Sequence, residues 1–259
     1  MFRVISANLT DVGKTRVENQ DYYGDFDPGG PLTPLGRLAI IADGVGGHRG
    51  GGLASRLAVD VLAEAYYRDD LTDTSLAGKL PGIDERLRSA FREANRRIYR
   101  RALDDSSLRG MASTCTAVVL EPRGVHVGHL GDSRAYLVRS AGIQRLTRDH
   151  SIVQERIDAG LIAPGEEKTQ RDRNVITKSL GFEPEIEPDI LDPPATIAAG
   201  DRIVLSTDGL HGLLTDQEIA ETVLKLPPME ACEALVGEAN ARGGIDNITV
   251  QVLEIDRDE

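Results

Sequence analysis

Two apolar runs limit what this chain can become. Leu38–Ala42 leads into Asp43-Gly44, and Ile203–Ser206 leads through Thr207 into Asp208-Gly209. After a strand, Asp-Gly ordinarily turns the chain back as a hairpin. Neither run is followed by a return strand here. Glycine-rich sequence and a helical pattern follow Gly44, and a helical pattern again follows Gly209. Each run thus brings a carboxylate to its end and releases the chain into a helix.

The acids recur. Asp21 ends Arg-Val-Glu-Asn-Gln-Asp, Asp132 lies in Gly-His-Leu-Gly-Asp-Ser, and Asp246 lies in Gly-Gly-Ile-Asp-Asn. Each adjoins a run that reads as a core strand. If the strand ends converge, the carboxylates share a pocket, and like charges at close range do not all stay ionised without compensation. Cations are the economical compensation, and the glycines let backbone carbonyls approach as further ligands. Carboxylate and carbonyl oxygens favour Mg²⁺ or Mn²⁺, and the five scattered histidines show no zinc spacing. Arg16, close before Asp21, reads either as a salt-bridge partner or as a bidentate clamp on a phosphate. P-loop, dinucleotide-binding and nucleophile-elbow motifs are missing.

The rest of the pattern supplies a frame. Helices are predicted over 51–67 and 84–103, the second with Leu87, Phe91, Ala94, Ile98 and Ala102 on one stripe. Residues 114–146 alternate β-branched runs with turn signals and predict an antiparallel meander. A short helix over 151–160 and a polar, mobile surface loop over 162–174 come next, then a strand over 201–206. Thr215 and Glu218 predict a capping box, Pro227-Pro228 starts a helix that Gly243-Gly244 stops, and 247–255 is a closing strand. The Pro/Gly cluster at 25–36 reads as a surface loop. Elements in blocks rather than strict alternation predict an α+β fold with an antiparallel β core faced by helices.

Of the 259 residues, 40% are hydrophobic, enough for a sizeable core, and no linker divides the chain, so one domain spanning 1–259 is expected. A formal net charge of -12 argues against nucleic acid as a partner. No apolar stretch approaches the roughly 18 residues of a membrane span, and the N-terminus lacks the apolar core of a signal peptide. Cys115 and Cys232, in apolar contexts, read as small core residues of a cytoplasmic protein.

The ordered set of motifs resembles the type 2C metal-dependent serine/threonine protein phosphatases, especially their compact bacterial members. Arg-Val-Glu-Asn-Gln-Asp (16–21), Ile-Ile-Ala-Asp-Gly-Val-Gly-Gly-His (40–48), residues 112–120, 128–137, 146–151, 174–181, 201–210 and 243–250 follow family order along nearly the whole chain. The resemblance implies a β-sandwich of two antiparallel sheets flanked by helices in α-β-β-α layers. It implies two Mn²⁺ or Mg²⁺ ions bridged by a hydroxide that attacks phosphorus in phosphoserine or phosphothreonine. Asp43 would bridge both metals and Gly44 would offer its carbonyl. Asp208 and Asp246 would hold one ion, Asp21 would support the other through water, and Arg16 would grip the phosphoryl group. Asp132, shared with Asp208, would serve a third ion, and a flap at 152–174 would stand beside the site. Phosphorylated proteins, including serine/threonine kinases and their substrates, are the implied partners of a monomer. The alternatives are a regulatory phosphatase narrow for one phosphoprotein and a non-catalytic binder of phosphoproteins.

Three positions depart from the family pattern. Gln20 stands where a glutamate is common and adds no negative charge. Val45 stands where eukaryotic relatives place a histidine after Asp-Gly, and the flap has no His-Pro before Arg173-Asn174. Gln20, His48 and Asn247 are expected to support the ligands, His48 structurally and Asn247 by orienting Asp246 through hydrogen bonding. Asp149 and His150 read as a turn held by side-chain hydrogen bonds. His126, His129 and His211 read as core or supporting groups, and the arginines between Arg88 and Arg101 as a solvated helix face.

Overall fold

A computed structural model of the chain describes residues 2–45, 50–68, 82–122, 124–163, 165–167 and 170–257. Strands β1 (Phe2–Asp11), β2 (Asp21–Phe26) and β3 (Arg37–Val45) come first, followed by helices α1 (Gly51–Tyr66) and α2 (Ile83–Asp104). Strands β4 (Ala112–Ser113), β5 (Cys115–Glu121), β6 (Gly124–Leu130), β7 (Arg134–Arg139) and β8 (Gly142–Arg145) follow. Then come α3 (Ile152–Asp158), β9 (Asp189–Ile190), β10 (Arg202–Ser206), α4 (Asp208–His211), α5 (Asp216–Lys225), α6 (Pro228–Ala241) and β11 (Ile248–Arg257).

The strands form two antiparallel sheets. One runs β1-β11-β10-β7-β8; the other runs β2-β3-β5-β6-β9, with β4 paired to β3. The expected α+β sandwich is present. The meander over 114–146 is not: β5 and β6 pair in one sheet, β7 and β8 in the other, so Gly131-Asp132-Ser133 is a crossing between sheets rather than a hairpin turn. A crossing sets Asp132 where the two sheets meet. The 25–36 segment is also more ordered than expected, since β2 runs through Asp25 and a 3₁₀ helix occupies Gly30–Leu35. Strand β1 was not legible. As an edge strand with Ala7 its one fully buried hydrophobic among described side chains, it lacks the continuous apolar run of a core strand.

Side-chain alternation makes three cores. Along β3, Leu38, Ile40 and Ala42 face α1 and α2, whereas Ala39 and Ile41 face the interior between the sheets. Along β10, Val204 packs under α5 and α6, and Ile203 and Leu205 enter the interior. Continuing the same parity by two residues carries β3 from Ile41 to Asp43 and β10 from Leu205 to Thr207. The interior is therefore apolar along most of its length and polar at one end. Helix ends follow their sequence signals. Ser151 caps α3, the Thr215–Glu218 capping box opens α5, and Pro228 begins α6.

Candidate active site

The polar end of the sandwich is a cleft of about 550 Å³ lined by Arg16, Asp43, Gly44, Asp132, Asp208 and Asp246, among others. Five of the residues singled out in the sequence as ligands or clamp are thus brought together with Gly44. Asp21 lies behind them. It is 6% exposed, and its Oδ2 accepts hydrogen bonds from Thr207 Oγ1 at 2.8 Å and Thr249 Oγ1 at 2.6 Å. Asp21 belongs to one sheet and both threonines to the other segment of the sandwich, so these bonds tie the two halves together under the site. His48 lies outside the described residues.

The glycines answer the question the Asp-Gly pairs raise. A Cβ on Gly44 would collide with the carbonyl of Gly51 and approach that of Gln20, and a Cβ on Gly209 would collide with the carbonyl of Asn247. A second backbone segment presses against each one. The missing side chain is what lets α1 and the 246–247 turn close onto the acid-bearing strand ends.

Asp43 is held through its backbone. Its N–H donates to Thr114 Oγ1 at 2.9 Å, and its carbonyl accepts from Thr114 N at 2.9 Å and Ser113 Oγ at 3.0 Å. Thr114 Oγ1 also bonds Ser133 Oγ at 2.8 Å, linking β3 to the crossing that carries Asp132. Arg16 Nη2 donates to Asp246 Oδ2 at 2.7 Å. Asn247 acts beyond its neighbour. Its backbone N–H donates to Asp246 Oδ1, its Nδ2 donates to the carbonyls of Val12 and Glu18, and its Oδ1 accepts from Gln20 N. Asn247 thereby fixes the loop that presents Arg16. The hydroxyls of Thr114, Thr207 and Thr249 escaped the sequence reading because each sits in or beside a strand-like run where a threonine is unremarkable, and that of Ser133 because Gly-Asp-Ser reads as a turn signal.

Electrostatics show strain in the acids. Burial, then the neighbouring Asp208 and Asp246, push Asp21 up to about 7 against its two hydroxyl donors. Burial, then Asp246, push Asp208 up to about 6. Asp43 and Asp132 are pushed well above the carboxylate range by burial first and by neighbouring acids next. Asp246 keeps Arg16 firmly charged. Asp21 Oδ1 and Asp208 Oδ1 are buried without a hydrogen-bond partner. Oxygen-only, mutually repelling and partly unsatisfied, this donor set fits a hard divalent cation. Among the described residues no three acid, His or Cys side chains already form a closed ligand cluster. Asp246 is turned onto Arg16 and Asp21 onto the two threonines, which accounts for the open arrangement.

The groups left aside in the sequence reading have structural partners. Asp149 pairs with Arg134 Nη2 at 2.6 Å, and His150 Nδ1 accepts from Gly131 N. His129, bonded to Thr116, stacks on His150 with ring centroids 5.0 Å apart. His211 bonds Ser206, and His126 pairs with Asp84. Arg88 and Arg92 reach Glu187, and Arg96 and Arg97 reach Glu93.

Two antiparallel sheets, helices on both outer faces and an acid cleft beside Arg16 at the sheet ends define an α+β sandwich with a cation-binding acid site. The family model for protein phosphatase 2C matches residues 14–235. The chain belongs to the protein phosphatase 2C family. It is 34% identical to protein phosphatase PhpP of Streptococcus pneumoniae over 97% of each chain. The S. agalactiae serine/threonine phosphatase superposes with a TM-score of 0.84 at 32% identity, over 97% of this chain and 99% of that one. The catalytic domain of the phosphatase PstP, solved with two manganese ions, gives 0.81 at 30% identity over 99% and 100%.

Proposed function

We propose that this chain removes phosphate from phosphoserine and phosphothreonine in proteins, with divalent cations held by Asp43, Gly44, Asp208 and Asp246. The observation that carries the reading is the meeting of these acids and Arg16 in one cleft, with Asp208 Oδ1 there and Asp21 Oδ1 behind it buried without a hydrogen-bond partner. Cations bound there would activate the attacking water and neutralise charge on the phosphoryl oxygens. The chain's own residues do the rest. Arg16 offers the guanidinium donors that Asp246 does not take to the incoming phosphoryl oxygens. Thr114 and Ser113 hold the Asp43 backbone still, and Thr207 and Thr249 hold Asp21 behind it, so the acids keep their placement through turnover.

Manganese or magnesium is the proposed metal, with Asp132 beside Asp208 as the place for a third ion. Residues 1–259 act as one catalytic domain, a monomer, with the 152–174 segment as its flap. Serine/threonine kinases and their substrates are the proposed opponents and targets. The cytoplasm is the proposed setting, which the free, buried thiols of Cys115 and Cys232 support. No helix among the described residues is long and apolar enough to cross a membrane.

The test is hydrolysis of para-nitrophenyl phosphate and of a phosphothreonine peptide with manganese and with chelator. The wild type hydrolyses both only with the metal. Asp43→Asn and Asp208→Asn lose activity by about a hundredfold or more while remaining folded. Full activity in either variant, or a wild type indifferent to chelator, defeats the reading.

A further inference from the structure

The mouth of the cleft is not uniformly polar. Val17 is 96% exposed, directly beside Arg16, and it lines the cleft. Val45, 39% exposed at the end of β3, and the half-buried Ile176 line the same cleft. Single exposed aliphatics are ordinary on protein surfaces. Three of them, from three separate segments, bordering an otherwise polar cleft are not accounted for by the chemistry of phosphate removal.

Nor is Val17 out in solvent because its loop is slack. Lys14 N and Thr15 N donate to the carbonyl of Gly244, Asn247 Nδ2 donates to the carbonyl of Glu18, and Arg16 is tied to Asp246. The loop is fastened on both sides of residue 17. Its side chain is therefore presented outward by a fixed backbone, so covering it costs little ordering. The surrounding charge narrows what can cover it. Glu18, next to Val17 and outside the proposed ligand set, repels an acidic neighbour, and none of the three lip residues can hydrogen-bond to a polar one through its side chain.

We infer that Val17, Val45 and Ile176 form an apolar lip that receives a non-polar side chain adjoining the phosphorylated serine or threonine of the substrate. The inference rests on the phosphoprotein reading above and adds a sequence preference to it. A phosphosite flanked by a large aliphatic residue is cleaved in preference to the same site flanked by serine or aspartate. Val17 and Val45 are specificity residues in this view, and Arg16 and the acids are indifferent to the flank.

The experiment compares kcat/KM for phosphothreonine peptides that carry leucine, serine or aspartate on either side of the phosphothreonine. Each value is divided by the same variant's kcat/KM for para-nitrophenyl phosphate, which has no flank. Wild type is expected to favour a leucine-flanked peptide over its serine counterpart about tenfold, and over the aspartate one by more. Val17→Ser should cut that preference roughly fivefold, Val17→Ile should keep it, and Val45→Ser, on another segment, should also cut it. A wild-type preference near one, or a preference untouched by Val17→Ser and Val45→Ser, overturns the lip while leaving the phosphatase reading intact. A wild type inactive on para-nitrophenyl phosphate with manganese overturns both.

Discussion

Asp21 and Asp43 stand directly opposite each other, as Cα partners in the antiparallel β2–β3 ladder. Facing like charges on adjacent strands are destabilising. The pairing is tolerable only because the two carboxyls receive different treatment. Thr207 and Thr249 satisfy one oxygen of Asp21, and Asp43 opens onto the cleft.

The hydroxyl pair beneath Asp21 should therefore be costly to remove. Thr249→Val leaves a buried carboxyl with one donor fewer and is expected to destabilise the fold by about 1–3 kcal/mol, read by urea denaturation. In an Asp21→Asn background the cost of Thr249→Val should shrink, because the group left wanting is no longer a carboxylate. Equal costs in the two backgrounds would show that the bond to Asp21 is not what Thr249 provides.

Gly209→Ala is expected to be more damaging than an average glycine substitution. The added methyl meets the Asn247 carbonyl, so the 246–247 turn must shift and carry Asp246 with it. Thermal unfolding should fall by several degrees and metal-dependent activity should drop more than tenfold. Gly237→Ala, where a Cβ meets nothing within 4 Å in the middle of α6, should be neutral or mildly stabilising. A Gly209→Ala enzyme with wild-type stability would contradict the close approach.

Arg16→Lys keeps the charge and loses the fork. An ammonium can pair with Asp246 or with a phosphoryl oxygen but cannot span both with planar geometry. Its kcat/KM for para-nitrophenyl phosphate should fall by about tenfold or more while its melting temperature stays within a degree or two. An unchanged kcat/KM would reduce Arg16 to a salt bridge on the rim.

Two sets of groups act oppositely on stability in acid when chelator is present. Asp21 and Asp208, held up to about 7 and about 6, bind protons more tightly folded than unfolded, so their contribution to stability rises as pH falls from about 8 to about 4, the ordinary range of an unfolded aspartate. His129 is pushed down to about 4, by burial first and by His150 next, from an ordinary value of 6.5. The unfolded chain takes that proton first, so stability falls between pH 6.5 and 4, by on the order of 3 kcal/mol. Two such carboxyls outweigh one histidine, so denaturation midpoints measured with chelator should keep rising from pH 8 to about pH 5, and His129→Gln should steepen the rise below pH 6.5. Midpoints that fall steadily from pH 8 to 5 would contradict the assignment.

Much of this molecule is written locally. The stripe of α2, the capping box at Thr215, the proline start of α6 and the Asp-Gly ends of β3 and β10 all depend on residues a few positions apart. The acids, Arg16 and the family they define could be named from their order along the chain. Tertiary structure decided the rest. The split of the adjacent strands β6 and β7 was set by their partners in different sheets, and the threonines under Asp21, the turning of Asp246 onto Arg16 and the apolar lip each join segments tens to hundreds of residues apart. A sequence states which groups are present and what their neighbours permit. Which of them meet is settled by how two sheets pack face to face, and that depends on burial summed over the whole core rather than on any one motif.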